Sequence, residues 1–189
     1  MKLQGFLIIC LVGIAFAGMV GPVSGANTAA LTGTLGSNIG ITVNTASVAL
    51  AGFTAGSTAT GADTITIFAN SPRGATISVA DSGAAPHTIP GYMSNATGAV
   101  YQAPNTELAT PLVVAGTAST VQGGTTITGS TTSGPIGTTA SPTSLYSANG
   151  PLSTITLPVS FTQVVTLTDP TLITGNQYRM DLTFTIASN

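Results

Sequence analysis

From Tyr178 to Ile186 every second residue is apolar: Tyr178, Met180, Leu182, Phe184 and Ile186 alternate with Arg179, Asp181, Thr183 and Thr185. A period of two places successive side chains on opposite faces of an extended chain, so this segment predicts a strand with one dry face and one wet face. The period recurs. Ile155, Leu157, Val159, Phe161, Val165 and Leu167 share one parity in "STITLPVSFTQVVTL". Ile65, Ile67 and Ala69 do so in "DTITIFA", and Ala75, Ile77 and Val79 in "ATISVAD". Turn residues in "NSPRG" between these last two runs predict a hairpin. "ELATPLVVAG" is a further core segment, with Pro111 pointing to an edge or a bulge. Past residue 26 nothing sustains a 3.6-residue period. Thr fills many intervening positions, as suits a pleated, half-buried surface. Short strands separated by turn signals predict an all-β fold, an antiparallel immunoglobulin-like or jelly-roll β-sandwich.

Charge narrows the function. Only 4 % of the 189 residues are charged, against roughly 25 % in ordinary globular proteins. Hydrophobic residues make up 43 %, which removes the chain from the disordered class. The formal net charge is -2, and Lys2, Arg73 and Arg179 are the fixed cations. Binding of nucleic acid needs a basic patch, so no such partner is expected. Weak charge repulsion makes self-association physically easy.

The start, "MKLQGFLIICLVGIAFAGMVGPVSGA", reads as a secretory signal. Lys2 precedes an apolar stretch from Phe6 to Val20, Gly21-Pro22 end it, and Ser24-Gly25-Ala26 offer a cleavage site after Ala26. The alternatives are an uncleaved N-terminal anchor and, from "QGFLIIC", a pilin-like subunit that keeps its N-terminal helix. The one cysteine, Cys10, lies within this stretch, so the exported chain is expected to have no disulfide and no thiolate chemistry. The expected organisation is a signal over 1–26, an extended arm over 27–38, and a sandwich domain over 39–189. Residues 116–150 form a Gly-, Ser- and Thr-rich insertion within that domain. It reads as a long loop with strand candidates around Val121 and Ile127, or as edge strands completed by a neighbouring molecule. In "LTGTLGSNIGITV", Leu31, Leu35, Ile39, Ile41 and Val43 share one parity. This arm either donates a strand to the next subunit or pairs within its own domain.

Chemistry is sparse. His87 sits in the Pro- and Gly-rich "GAAPHTIPG" with no partner motif, and no G-x-S-x-G is present. Asp63 and Asp81 flank predicted strands as turn-capping residues do. Asp169 before Pro170 reads as a turn start. Arg179 and Asp181 form a weak wet-face pair. No loop has the dense acidic spacing of a calcium site. The expectation is therefore no catalytic residue, no metal and no cofactor. Tyr92, Tyr101 and Tyr146 lie in predicted loops, where aromatic rings would serve a glycan-binding module. Asn95-Ala96-Thr97 is an N-glycosylation acceptor in an expected surface loop.

The order "VALAGFTAGSTATGADTITIFANSPRGATISVAD" then "LPVSFTQVVTLTDPTLITGNQYRMDLTFTIASN" resembles secreted immunoglobulin-like β-sandwiches of prokaryotic cell surfaces and matrices. The likeness is to WxL-like, spore-coat-U-like and camelysin-like layouts, without the tryptophan motifs of the WxL family, since the chain has no Trp. "GNQYRM" is similar to a tyrosine corner, giving Tyr178 a structural role beside the turn residues Asp169 and Gly175. The resemblance implies a secreted, structural surface or extracellular-matrix protein. Its expected partners are other copies of itself, or other surface proteins and glycans. A monomeric adhesin-like binding module is the alternative. The membrane is met only through an uncleaved N-terminal segment.

Overall fold

The computed structural model describes residues 36, 38–116, 119–132 and 135–189. Among these the chain is all-β, every strand ladder is antiparallel, and no helix is long and apolar enough to cross a membrane. The expected signal over 1–26 and the arm residues Leu31 and Leu35 lie outside the described residues.

Strands β1 (Ile39–Val43), β2 (Ser57–Ala69), β11 (Leu152–Val165), β6 (Val113–Gly116) and β9 (Thr131–Thr132) form one sheet in that order. A second sheet runs β13 (Leu182–Ser188), β3 (Ala75–Asp81), β10 (Thr143–Ala148), β8 (Thr125–Gly129) and β7 (Thr120–Gln122). A small third sheet joins β12 (Gln177–Arg179), β4 (Ser94–Thr97) and β5 (Val100–Tyr101). The inward rows of the two large sheets supply one hydrophobic cluster: Ile65, Ile67, Leu157 and Val159 from the first, Ile77, Val79, Ile127 and Tyr146 from the second. Burial of such side chains is the main favourable term holding the layers together, at about 25 cal/mol per Å² of apolar surface.

Three expectations are corrected by this arrangement. The runs around "NSPRG" are not a hairpin: β2 lies in the first sheet and β3 in the second. The turn at 70–74, closed by Gly74 N–H donating to Ser71 O at 3.0 Å, carries the chain between layers. Both runs have an inward face, and an inter-layer connection satisfies that as well as a hairpin does. Residues 116–150 are not mainly a surface loop. They hold β7, β8, β9 and β10, and Ile127, Leu145 and Tyr146 are fully buried. Ile39, Ile41 and Val43 pair with Ile67 and its neighbours in β2 of the same chain, so they are not available for donation to another subunit.

Among the described residues, backbone hydrogen bonds link the two large sheets at one flank. After β8, Ser130 N–H donates to Leu145 O in the second sheet at 2.8 Å, while Ser130 O accepts from Gly116 N–H in the first at 3.3 Å. The chain thus changes sheets within one residue. Tyr146 fills the corner, its ring over Gly116 and Gly129 and its hydroxyl donating to Pro158 O. On the other flank the edge strands β1 and β13 pack together, but each is laddered only to its inner neighbour. Leu182, Phe184 and Ile186 are therefore half-buried although they face the core, whereas Ile77 and Val79 beside them in β3 are fully buried.

Turn chemistry near this open flank is well satisfied. The Tyr178 hydroxyl donates to Pro170 O at 2.7 Å. Burial, then the negative charge of Asp169, pushes its phenol above the usual range. Asp169 accepts from Ala109 N–H at 2.7 Å and from Thr166 N–H at 2.6 Å, fastening segment 166–176 to the residues before β6. Gly175 has φ +93°, the left-handed region that favours glycine. Replacing Tyr178 with Phe keeps the ring contact with Phe53 (centroids 5.9 Å apart) and removes only the hydroxyl bond. The expected cost is about 1 kcal/mol in chemical denaturation; no measurable change would mean that water replaces the bond freely.

Candidate functional site

The chain has few ionisable groups, and the fold gathers most of them. Asp81 ends β3 in the inward row Ala75, Ile77, Val79, so a carboxylate takes the fourth core position. Its side chain is 1 % exposed. Such a charge must be fully partnered, and it is. Oδ1 accepts from Gly83 N–H at 2.9 Å, and Oδ2 accepts from Gly91 N–H at 2.8 Å and from His87 Nε2 at 2.8 Å. The Pro- and Gly-rich segment 82–93 wraps around this carboxylate and delivers His87 into the interior, where its ring stacks on Tyr101 at 5.1 Å. On the other side of the imidazole, Nδ1 meets the hydroxyl of Ser94, the first residue of β4.

Glu107 completes the cluster. Its Oε1 accepts from Asn105 Nδ2 at 2.7 Å, Ile89 N–H at 3.1 Å, Thr88 N–H at 3.3 Å and Ser94 Oγ at 3.3 Å, and lies 3.7 Å from His87 Nδ1. Burial alone would push this carboxyl up. The bonds from Asn105, Ile89 and Thr88 and the charge of His87 outweigh it and hold the carboxyl below its ordinary value. The folded value lies below the unfolded one. Glu107 thus contributes stability that is complete above the ordinary glutamate range, about pH 4.3, and is lost as pH falls through the folded value. Glu107→Gln is expected to flatten the pH dependence of unfolding below about pH 4.5. An unchanged acid limb in pH-resolved denaturation would contradict this.

A second layer extends the network outward. Asp181 N–H donates to the Tyr101 hydroxyl at 3.0 Å. Burial first, then the Asp181 charge, pushes the Tyr101 phenol well above its usual range. Arg179 Nη2 donates to Asp181 Oδ1 at 2.5 Å, which raises the guanidinium value. Arg179 is the register partner of Ser94 across the β12–β4 ladder. The buried cluster and the surface pair are therefore two ends of one structure.

On the outer side of β12, at the open flank, lies a groove of about 810 Å³. One wall is Val43 with segment 44–55, including Val48, Leu50 and Phe53; the other is Tyr178, Met180, Leu182 and Phe184. A smaller cavity of about 320 Å³ opens beside Asp81 and His87, rimmed by Thr88, Thr138 and Thr139.

Asp81, His87 and Ser94 have the identities of a nucleophilic triad, but not its access. Ser94 has no exposed surface, and its hydroxyl lies within reach of both His87 and Glu107. The geometry is that of a clamp joining β3, segment 82–93, β4 and segment 105–107. No group of three or more His, Cys, Asp or Glu among the described residues is arranged to hold a metal ion.

Other sequence candidates fall elsewhere than expected. Asn95 is in β4, not a surface loop; it is buried, and its Oδ1 accepts from Asn176 Nδ2 at 2.8 Å. It ties β4 to the turn before β12, and its buried side chain would have to leave the interior to carry a glycan on Nδ2. Tyr146 and Tyr101 are strand residues within the interior, which removes them as glycan platforms; Tyr92 stays half-buried in a loop. Asp63 lies inside β2, where Oδ2 accepts from Thr45 N–H at 3.3 Å. The cluster itself was missed because 81, 87, 94 and 107 share no spacing that a motif could register. One signal was available: Asp81 continues the inward parity of β3.

Searches of protein-family models, of curated proteins and of solved structures find no match to this chain.

Proposed function

We propose that this is a secreted structural protein of the cell surface or extracellular matrix, an immunoglobulin-like β-sandwich that assembles with copies of itself by strand addition. The observation that carries the reading is the flank where the edge strands β1 and β13 pack together without a ladder between them, and where a groove of mixed polar and apolar lining opens between Val43 and Phe184. Core-facing side chains left half-buried beside unpaired backbone are what an added strand would complete. The free edges agree: β1, β7, β9 and β13 contain no charged residue, so the usual deterrents to edge pairing are missing.

The chain's own geometry suggests a direction for assembly. Asn38 N–H donates to Asn70 Oδ1 at 2.5 Å, and Asn70 Nδ2 donates to Gly36 O at 2.7 Å, so the chain enters at one end of β1. The groove begins at Val43, the other end, about 17 Å away for five extended residues. A segment that precedes residue 36 in one copy and fills the groove of the next would give head-to-tail contacts, which propagate as a filament unless they close into a ring. Residues 27–35, with Leu31 and Leu35, are the segment we assign.

Electron microscopy and size-exclusion chromatography of the purified protein test this. Regular filaments or sheets are expected, lost on deletion of 27–35 and weakened by Val43→Glu at the exposed lip of the groove. A monomer at every concentration would overturn self-assembly. The groove's polar wall of Asn176, Gln177 and Arg179 and its size, within the range of small-ligand sites, would then favour a glycan- or protein-binding module.

A further inference from the structure

We infer that His87 is a proton-operated latch that sets the wall of the groove through Ser94 and β12. This rests on the groove being the assembly site. The inference begins with hydrogen-bond direction. An ionised carboxylate only accepts, so the Nε2 facing Asp81 Oδ2 at 2.8 Å carries a hydrogen. In the neutral ring Nδ1 is then an acceptor, and the Ser94 hydroxyl donates to it. When the ring gains a proton, Nδ1 becomes a donor. The Ser94 hydroxyl must turn away, and Glu107 Oε1 stands 3.3 Å from its oxygen to receive it. The site thus satisfies both protonation states with the same heavy atoms. A hydroxyl rotation carries the change from His87 to Glu107.

Every group that faces the ring takes part. Asp81 from the end of β3 and Glu107 flank its two nitrogens, and Tyr101 of β5 covers its face. Beyond Tyr101 stand Asp181 and Arg179. With a neutral ring the interior holds two carboxylates bound only by neutral donors. With a charged ring it holds a cation between them, where Coulomb attraction exceeds its value in water. His87 is the single histidine of the chain.

The link to the groove is direct. Ser94 is laddered opposite Arg179, and Asn95 opposite Tyr178. Tyr178, Arg179 and Asp181 all line the groove. Both states anchor the ring to Asp81 and Ser94, but a charged ring makes these bonds charge-assisted and holds β4, and through its ladder β12, more strongly than a neutral one. Assembly is therefore expected to be stronger in mild acid than in mild base.

The test labels histidine with ¹⁵N in the full chain, which gives one imidazole signal. On acidification Nδ1 is expected to pass from acceptor to donor, and the backbone signals of Ser94, Tyr178 and Arg179 to follow with the same midpoint. The assembled fraction should be at least about fivefold greater at pH 5.5 than at pH 8, a modest coupling between two sites. Glu107→Gln, which keeps the ring and its Asp81 bond, should reduce that ratio toward one. A ring that stays neutral to pH 5, or β12 signals that ignore its titration, would overturn the latch. A ratio unchanged in Glu107→Gln would do the same. If ring and β12 titrate together while no assembly forms at either pH, the latch stands and the assembly reading fails.

Discussion

Gly129→Ala is expected to prevent the two large sheets from closing and to leave little folded protein at 37 °C. A Cβ at this position would lie 2.0 Å from Gly116 O and 2.7 Å from Gly116 C. These are backbone atoms at the corner where Ser130 links both sheets, and Gly116 N–H is itself bonded to Ser130 O, so neither partner can move alone. Ordinary overpacking costs about 1–3 kcal/mol where side chains can adjust. Here the obstacle is backbone in the first sheet, so the loss should exceed about 3 kcal/mol, out of a total of roughly 5–15 kcal/mol for a domain. The midpoint of thermal unfolding should fall by about 10 °C or more. Tyr146→Phe separates this from a general fault in the corner. It removes the hydroxyl bond to Pro158 O and keeps the ring, at a cost of about 1–2 kcal/mol. The double variant should be no better than Gly129→Ala, because the clash is with the main chain and not with the phenol. A Gly129→Ala protein that melts within a few degrees of the parent would show that the sheets are not joined at Ser130.

The strands that alternate most cleanly in sequence were the easiest to find. β2, β3 and β11 each have an apolar row with polar neighbours, and their existence follows from that period. Which sheet each joins does not, because a buried face says nothing about which neighbour covers it; hence β2 and β3 fall in different layers. The alternation from Tyr178 to Ile186 is served by two strands, β12 in the small sheet and β13 in a large one. Its residues are only half-buried because they face the open flank. Conversely, the segment with the weakest pattern, 116–150, contributes some of the most deeply buried side chains, Ile127, Leu145 and Tyr146. Its strands are short and Thr-rich, and glycines at 116 and 129 are required by the approach of two backbones that lie far apart in sequence. Gln163 shows a further limit. It occupies the inward row of β11 between Phe161 and Val165, fully buried, donating to Thr110 O at 3.0 Å and Val164 O at 2.8 Å. A polar residue in an apolar row has a reason only once its partners are in view.

Asp81→Ala is expected to release the small sheet from the second large one. The carboxylate receives Gly83 N–H, Gly91 N–H and His87 Nε2, and alanine leaves all three donors without this partner, those of Gly91 and His87 buried. Removing one member of a buried charged set costs about 3–5 kcal/mol, more than a neutral hydrogen bond, because desolvated donors are left behind. Asp81→Asn should cost less, since one amide oxygen still accepts while the amide nitrogen faces a donor. The damage should also have a direction. Ser94–Thr97 and Gln177–Arg179 depend on the clamp for their position, whereas β2 and β11 are laddered along their whole length. Native-state hydrogen exchange in Asp81→Ala should therefore accelerate first at β4 and β12, with the β2–β11 ladder protected until global unfolding. Uniform acceleration across all strands would mean that Asp81 supports the whole core and not the small sheet. Unchanged exchange at β4 and β12 would mean that the ladder to Arg179 holds without the clamp, and the coupling between the buried histidine and the groove would fall with it.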